Sequence, residues 1–188
     1  CKIINSIQGY PKLNNFRKIL WKWLYKKSNL LITMSNLTRT YIIDQININE
    51  KKIVKINNPV ISRQIRLQSK EKISKDVELL MNNNFCITLV GRLTRQKNYM
   101  SFLKVLKKLN KEFDNLFIII IGEGELRKDI ENFLDLNKIN NVKLTGFEKN
   151  PYKYISRSKL FVSCSLWEDP GHALIEATYL NVPVLTSD

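Results

Sequence analysis

Two carboxylates and two cations stand out by type and spacing. Glu168 and Glu176 have seven residues between them, in Glu168-Asp169-Pro170-Gly171-His172-Ala173-Leu174-Ile175-Glu176, and Gly91-Arg92-Leu93-Thr94-Arg95-Gln96-Lys97-Asn98 lies upstream. Pro170 and Gly171 interrupt the chain just before a run of good helix formers, Ala173 to Ala177, so this segment is predicted to turn into a helix N-terminus. Such an end offers unpaired N–H groups and partial positive charge to an anion. Gly91 permits a tight turn, Arg92 can fork onto two oxygens and Lys97 acts as a point charge, a set suited to a diphosphate. The two helical turns separating Glu168 from Glu176 argue against direct glycoside hydrolysis, which needs carboxylates about 5 to 9.5 Å apart.

Positioning these residues requires strands before and after them. Leu160-Phe161-Val162 precedes the acidic segment and Val182-Pro183-Val184-Leu185 follows it, while Cys86-Ile87-Thr88-Leu89-Val90 precedes Gly91. From Phe85 the pattern is regular: strands at 85–90, 116–121, 142–145, 159–163 and 183–186 alternate with helices near 99–112, 124–137, 151–157 and 172–180. Strand and helix in alternation predict an α/β fold, a parallel sheet covered on both faces whose ligands bind at the carboxyl ends of the strands. Gly122-Glu123-Gly124-Glu125-Leu126-Arg127 superficially suggests a dinucleotide fingerprint. Arg127 stands where the third glycine should allow close helix packing, so that reading fails and a tight turn into a helix suffices.

Glu168, Glu176 and the segment from Gly91 to Asn98 together resemble the donor-site signature of the retaining, nucleotide-sugar-dependent glycosyltransferases of family four, whose GT-B fold has two facing Rossmann-like domains. The likeness extends over nearly all of residues 29–188. It implies an acceptor-side domain ending at residues 1–57, a linker at 58–80 and a donor-binding domain at 81–188, with the chain a fragment that is inactive alone. It further implies that Arg92 and Lys97 neutralise the leaving diphosphate, that Glu168 contacts the donor sugar and that Glu176 accepts hydrogen bonds from the ribose. Backbone N–H groups of Gly171, His172 and Ala173 would meet phosphates or sugar. Although His172 is the sole histidine, the resemblance assigns it backbone contacts only. Phe147, after Thr145-Gly146, either covers the nucleotide base or belongs to the core. The implied activity is sugar transfer from a nucleotide-sugar to a saccharide or lipid-linked acceptor in cell-surface polysaccharide or lipopolysaccharide synthesis, with no cofactor; no Asp-x-Asp pair is present to hold a metal.

The net charge of +14 is uneven. Residues 1–75 hold 16 Lys or Arg against 3 Asp or Glu, and residues 76–188 hold 15 against 14. That asymmetry predicts an anionic partner on one side. In residues 12–27 Phe16, Ile19, Leu20, Trp23 and Leu24 recur at the spacing of one buried face, leaving Trp21 and Tyr25 beside Lys18 and Lys22. This reads either as a helix packed on a sheet or as one meeting an anionic membrane; the family resemblance implies a cytoplasmic protein, peripheral on the inner face of the cell membrane in the second case. The longest apolar run, Leu116 to Ile121, is too short to span a bilayer, which needs about 20 residues. Further expected elements are a strand at 30–34, a helix capped by Ser35, a strand at 52–56 and a loose helix within 61–80. Cys1, Cys86 and Cys164 lack metal spacing and read as small hydrophobes. Two rival functions are a basic nucleic-acid-binding protein, disfavoured because no recognised module is visible, and a nucleoside-diphosphate-binding module without catalysis.

Overall fold

The computed structural model describes residues 1–7, 14–168 and 171–187. The chain divides into two compact units, Cys1–Pro59 with Glu168–Gly171, and Val60–Trp167 with His172–Asp188. In the first, β1 (Ile4–Ile7), α1 (Asn15–Lys27), β2 (Leu30–Thr33), α2 (Asn36–Ile46) and β3 (Ile53–Lys55) follow in order. Their strands form a parallel sheet, β1-β2-β3. The strand β1 was not expected, since only Ile3-Ile4 and Ile7 mark it. Ser35 caps α2 by accepting from the Thr38 amide at 3.1 Å, as its type and place predict.

Helix α1 turns the opposite face inward from the one expected. Tyr25 is 5% exposed and Trp21 packs with it against Ile7, Leu31, Ile42, Ile46 and Ile53. Phe16 at 74%, Ile19 at 72% and Trp23 at 56% face outward, with Leu20 and Leu24 also exposed. The helix carries apolar residues on two faces, so periodicity alone could not choose between them. Trp21 and Tyr25 stand one turn apart, their rings meeting edge-on at 5.1 Å, and bury large aromatic surface against the sheet.

The second unit contains α3 (Arg63–Ser69), α4 (Lys75–Asn83), β4 (Phe85–Val90), α5 (Tyr99–Leu109), β5 (Leu116–Ile121), α6 (Arg127–Leu136), β6 (Val142–Gly146), α7 (Tyr152–Ile155), β7 (Leu160–Ser163), α8 (His172–Tyr179) and β8 (Val184–Thr186). Five parallel strands lie in the order β6-β5-β4-β7-β8. The expected strands and helices of this unit are all present; β4 and β5 have the expected bounds, β6 runs one residue further, to Gly146, and the other elements are shorter at their ends. Alternation distributes the core: Ile87, Leu89, Ile118 and Ile120 pack under α5 and α6, whereas Cys86, Phe117, Ile119 and Ile121 pack with Val77, Met81 and Tyr154 on the other face. The charged stretch 61–80 folds as α3 and α4, with Ile65, Ile73 and Val77 buried. At the carboxyl end of α3, the Ser69 carbonyl accepts from Ser156 Oγ and Arg157 Nη1, both at 3.1 Å. Of the cysteines Cys86 is buried, Cys164 half-buried and Cys1 exposed, so the reading as a buried hydrophobe fails for Cys1.

At the carboxyl edge, three connections continue side by side past the strands. The Gly91 amide donates to the Ile121 carbonyl (3.0 Å), that of Gly122 to Gly146 (2.8 Å) and that of Leu93 to Glu123 (2.9 Å). A side chain at Gly122, where φ is 146°, would bring Cβ to 2.0 Å from the Gly91 oxygen, and one at Gly124 would meet the Leu93 oxygen at 2.4 Å. These glycines therefore serve close backbone approach, a stronger demand than a tight turn. Gly122→Ala is expected to destabilise the protein by about 3 kcal/mol or more, read from urea unfolding, because backbone must give way.

Candidate functional site

The parallel sheet sends every strand-to-helix connection to one edge, and the switch in strand order lies between β4 and β7. From β4 the chain moves to β5 and β6 on one side; β7 and β8 lie on the other. Such a reversal opens a crevice at the carboxyl ends of the strands. Lys97 lies there, lining a shallow cleft with Leu89, Val90, Tyr99, Val162, Ser163, Cys164 and Ser165. A larger cavity of about 430 Å³ sits at the opposite edge, among Phe85, Ile87, Leu109, Phe113, Asn115 and Leu116. Asn115 apart, its lining is apolar, and it carries no charged group, whereas the smaller cleft carries Lys97.

The loop bearing Arg92 and Lys97 is held at several points. Leu93 is fully buried, its amide bonded to Glu123 and its carbonyl accepting from the Leu126 amide at 3.0 Å. The Tyr99 hydroxyl donates to the Gly91 carbonyl at 3.0 Å. Arg95–Lys97 form a single 3-10 turn, and Asn98 adopts a left-handed conformation (φ 53°) that redirects the chain into α5. The stem of Lys97 lies directly over Gly91, where an added Cβ would come within 2.7 Å of Lys97 Cε. Glycine there both turns the backbone and leaves space for the lysine. Arg92 is exposed on this loop, as is Arg95.

Gln96, to which the motif gave no role, links this loop to the one after β7. Its carbonyl accepts from the Leu166 amide at 2.8 Å and its Nε2 donates to the Trp167 carbonyl at 2.9 Å. The linked loop leads to Glu168, which is exposed, and to Gly171, which is buried with φ 69°. Pro170, read with Gly171 as the break before the helix, lies with Asp169 outside the described residues. His172 and Ala173 are the first residues of α8, His172 exposed and Ala173 half-buried.

Glu176 is half-buried on α8 and accepts a hydrogen bond from the Tyr152 hydroxyl at 3.0 Å. Burial pushes its pKa above the ordinary carboxyl value; the Tyr152 hydrogen bond and nearby His172 pull the other way. Tyr152 is pushed up to about 12 by burial and by the adjacent carboxylate, so its hydroxyl stays protonated and donates. The core reading of Phe147 is excluded, for its ring is 79% exposed beyond the end of β6. Arg127, the residue that spoils the dinucleotide fingerprint, pairs with Glu123 and with Glu131. Gln96, Tyr99 and Tyr152 went unmarked in the sequence because hydroxyl and amide side chains have no fixed spacing relative to what they support.

The sequence profile described as Glycosyl transferases group 1 matches residues 69–188, and the chain belongs to that family. Over 188 residues it is 30% identical to an uncharacterized glycosyltransferase of Methanocaldococcus jannaschii, covering 98% of this chain and 46% of the relative. It is 27% identical over 198 residues to the UDP-Gal:alpha-D-GlcNAc-diphosphoundecaprenol alpha-1,3-galactosyltransferase of Escherichia coli, covering 99% and 51%. A crystal structure of Anabaena HepE in complex with UDP and glucose has a TM-score of 0.80 at 18% identity, covering 98% of this chain and 52% of that one. The shared fold is the α/β architecture of GT-B glycosyltransferases. The chain spans about half the length of the curated relatives it matches.

In Gln96→Ala the side-chain hydrogen bond to Trp167 is lost, a net change of about 1 kcal/mol. Amide exchange at Leu166 should accelerate about fivefold while exchange in β5 stays unchanged, as measured by hydrogen-exchange mass spectrometry or NMR.

Proposed function

We propose that the complete protein is a retaining glycosyltransferase of family four that moves a sugar from a nucleotide-sugar donor to a saccharide or lipid-linked saccharide acceptor in cell-surface glycan synthesis. The observation that carries this reading is Lys97, laid over Gly91 at the crevice between β4 and β7 on a loop pinned by backbone hydrogen bonds. In this reading residues 1–57 end the acceptor-side domain, 58–80 form the linker, and the donor binds to residues 81–188. Support comes from the donor and diphosphate-linked acceptor named for the Escherichia coli relative, and from the HepE structure, a complex with UDP and glucose.

The reaction breaks the bond between the anomeric carbon and the nucleoside diphosphate, leaving negative charge on the departing phosphate. Arg92 and Lys97 neutralise that charge together with the backbone N–H groups of Gly171, His172 and Ala173, with no metal required. Because the loop is already fixed, little reorganisation accompanies bond breaking, and one such placed donor contributes about 3 to 4 kcal/mol. Glu168 contacts the donor sugar, Glu176 the ribose hydroxyls, and Phe147 covers the base. Arg92→Ala and Lys97→Ala should each lower transfer by about two orders of magnitude or more with little change in Tm. Near-normal rates in both would overturn the assignment, and tight nucleoside-diphosphate binding without turnover in the unmodified protein would mark a module that no longer catalyses.

The outward face of α1 supports an anionic membrane surface as a further partner and a peripheral location at the inner face of the cell membrane. Phe16, Ile19, Leu20 and Trp23 are exposed together, and Arg17, Lys18, Lys22, Lys26 and Lys27 share their helix. Lys27 Nζ lies 3.7 Å from the Trp23 ring centroid, placing charge beside an aromatic as at a lipid interface. No helix among the described residues is long and apolar enough to cross a membrane. Co-sedimentation should show binding to vesicles containing acidic phospholipid, weakened about tenfold or more by Ile19→Asp with Trp23→Asp, since apolar insertion and about 1 kcal/mol per basic residue act together. Equal binding of the double variant would refute this role for α1.

A further inference from the structure

We infer that Tyr152 is a positioning residue that orients Glu176 for a vicinal diol and thereby sets the preference for ribonucleotide over deoxyribonucleotide donors. This deepens the donor-site reading and rests on it. Tyr152 opens the one-turn helix α7, away from both the glycine loop and the acidic segment, yet its hydroxyl reaches Glu176 Oε1 at 3.0 Å.

The ring is held independently of that contact. Its amide donates to Asn150 Oδ1 at 3.1 Å, and the buried Asn150 in turn donates from Nδ2 to the Gln68 carbonyl at 2.9 Å. The ring itself packs against the cluster of Ile155, Phe161, Ala177 and Val182. Tyr152 therefore brings a fixed donor to a flexible acceptor.

An ionised carboxylate offers about four acceptor sites over its two oxygens. Tyr152 takes one on Oε1 and leaves Oε2, with the rest of Oε1, for two neighbouring hydroxyls. Restricting the glutamate beforehand removes ordering entropy that binding would otherwise have to overcome. A charge-assisted bond from the phenol also favours the ionised form, the form that can accept from both hydroxyls of a diol. None of this bears on the phosphates, so the contribution belongs to the sugar ring of the nucleotide.

The test is calorimetric and uses the complete protein. Among the uridine, guanosine and adenosine diphosphates, the one that binds best is compared with its 2′,3′-dideoxy form in the unmodified protein, Tyr152→Phe, Glu176→Gln and the double variant. Each preference is a ratio of two Kd values from one preparation, so a variant with a reduced folded fraction still reports. Tyr152→Phe should weaken binding of the ribonucleotide about tenfold and that of the dideoxynucleotide less than twofold. Adding Tyr152→Phe to Glu176→Gln should bring little further loss, because the tyrosine acts only through the carboxylate. An unchanged preference in Tyr152→Phe, with the preference abolished in Glu176→Gln, overturns the role of Tyr152 and leaves the donor site standing. A preference surviving Glu176→Gln overturns the ribose role of Glu176 and the inference with it, whereas no binding of any of the three nucleotides overturns the donor-site reading itself.

Discussion

The close approach of backbone to backbone at the carboxyl edge of the five-stranded sheet is the constraint on which the rest depends. Gly91, Gly122 and Gly146 stand at the ends of neighbouring strands, and hydrogen bonds join their connections beyond the regular ladder. A Cβ at Gly122 would fall on the carbonyl oxygen of Gly91. Because those connections touch without intervening side chains, the loop after β4 is held on one side by β5 and its turn. On the other side Gln96 ties it to the loop after β7. The backbone that carries Arg92 and Lys97 therefore has little freedom of position, and a fixed scaffold is what charge stabilisation needs.

Around that edge the molecule uses two kinds of support. Lys97 is placed by backbone: a glycine beneath it, a 3-10 turn within it and a left-handed asparagine after it. Glu176 is placed by a side chain from another helix, and burial holds its pKa above the ordinary carboxyl range while Tyr152 and His172 oppose the shift. A group with a raised folded pKa contributes stability below its unfolded pKa and loses that contribution as pH rises through the folded value. For Glu176 the loss falls as pH rises past the ordinary carboxyl value, where burial of the carboxylate weakens the folded state.

Legibility in the sequence followed the strength of the local signal. Strands such as Leu116–Ile121 are readable because a six-residue apolar run rich in isoleucine is short for a helix and suits a strand buried on both faces. The Gly91, Arg92 and Lys97 motif was readable because glycine and two cations at a strand end form a compact set. Helix α1 is legible in the sequence as a helix but not in the choice of its buried face. With Phe16, Ile19 and Trp23 on one side and Trp21 and Tyr25 on the other, both orientations satisfy a helical period. For Phe147 the sequence admits both base cover and core, and its exposure removes the core alternative.

The amino-acid sequence by itself determined the alternation of strand and helix, the glycine and cation set after β4, the Ser35 cap and the concentration of basic charge in residues 1–75. Each of these depends on residues near one another in the chain. Tertiary structure alone decided which face of α1 is buried, why Gly122 and Gly124 must lack side chains, and that Gln96 and Tyr152 support groups 71 and 24 positions away. Those outcomes arise from contacts between segments distant in sequence, where packing space and available hydrogen-bond partners exist only after the sheet has formed.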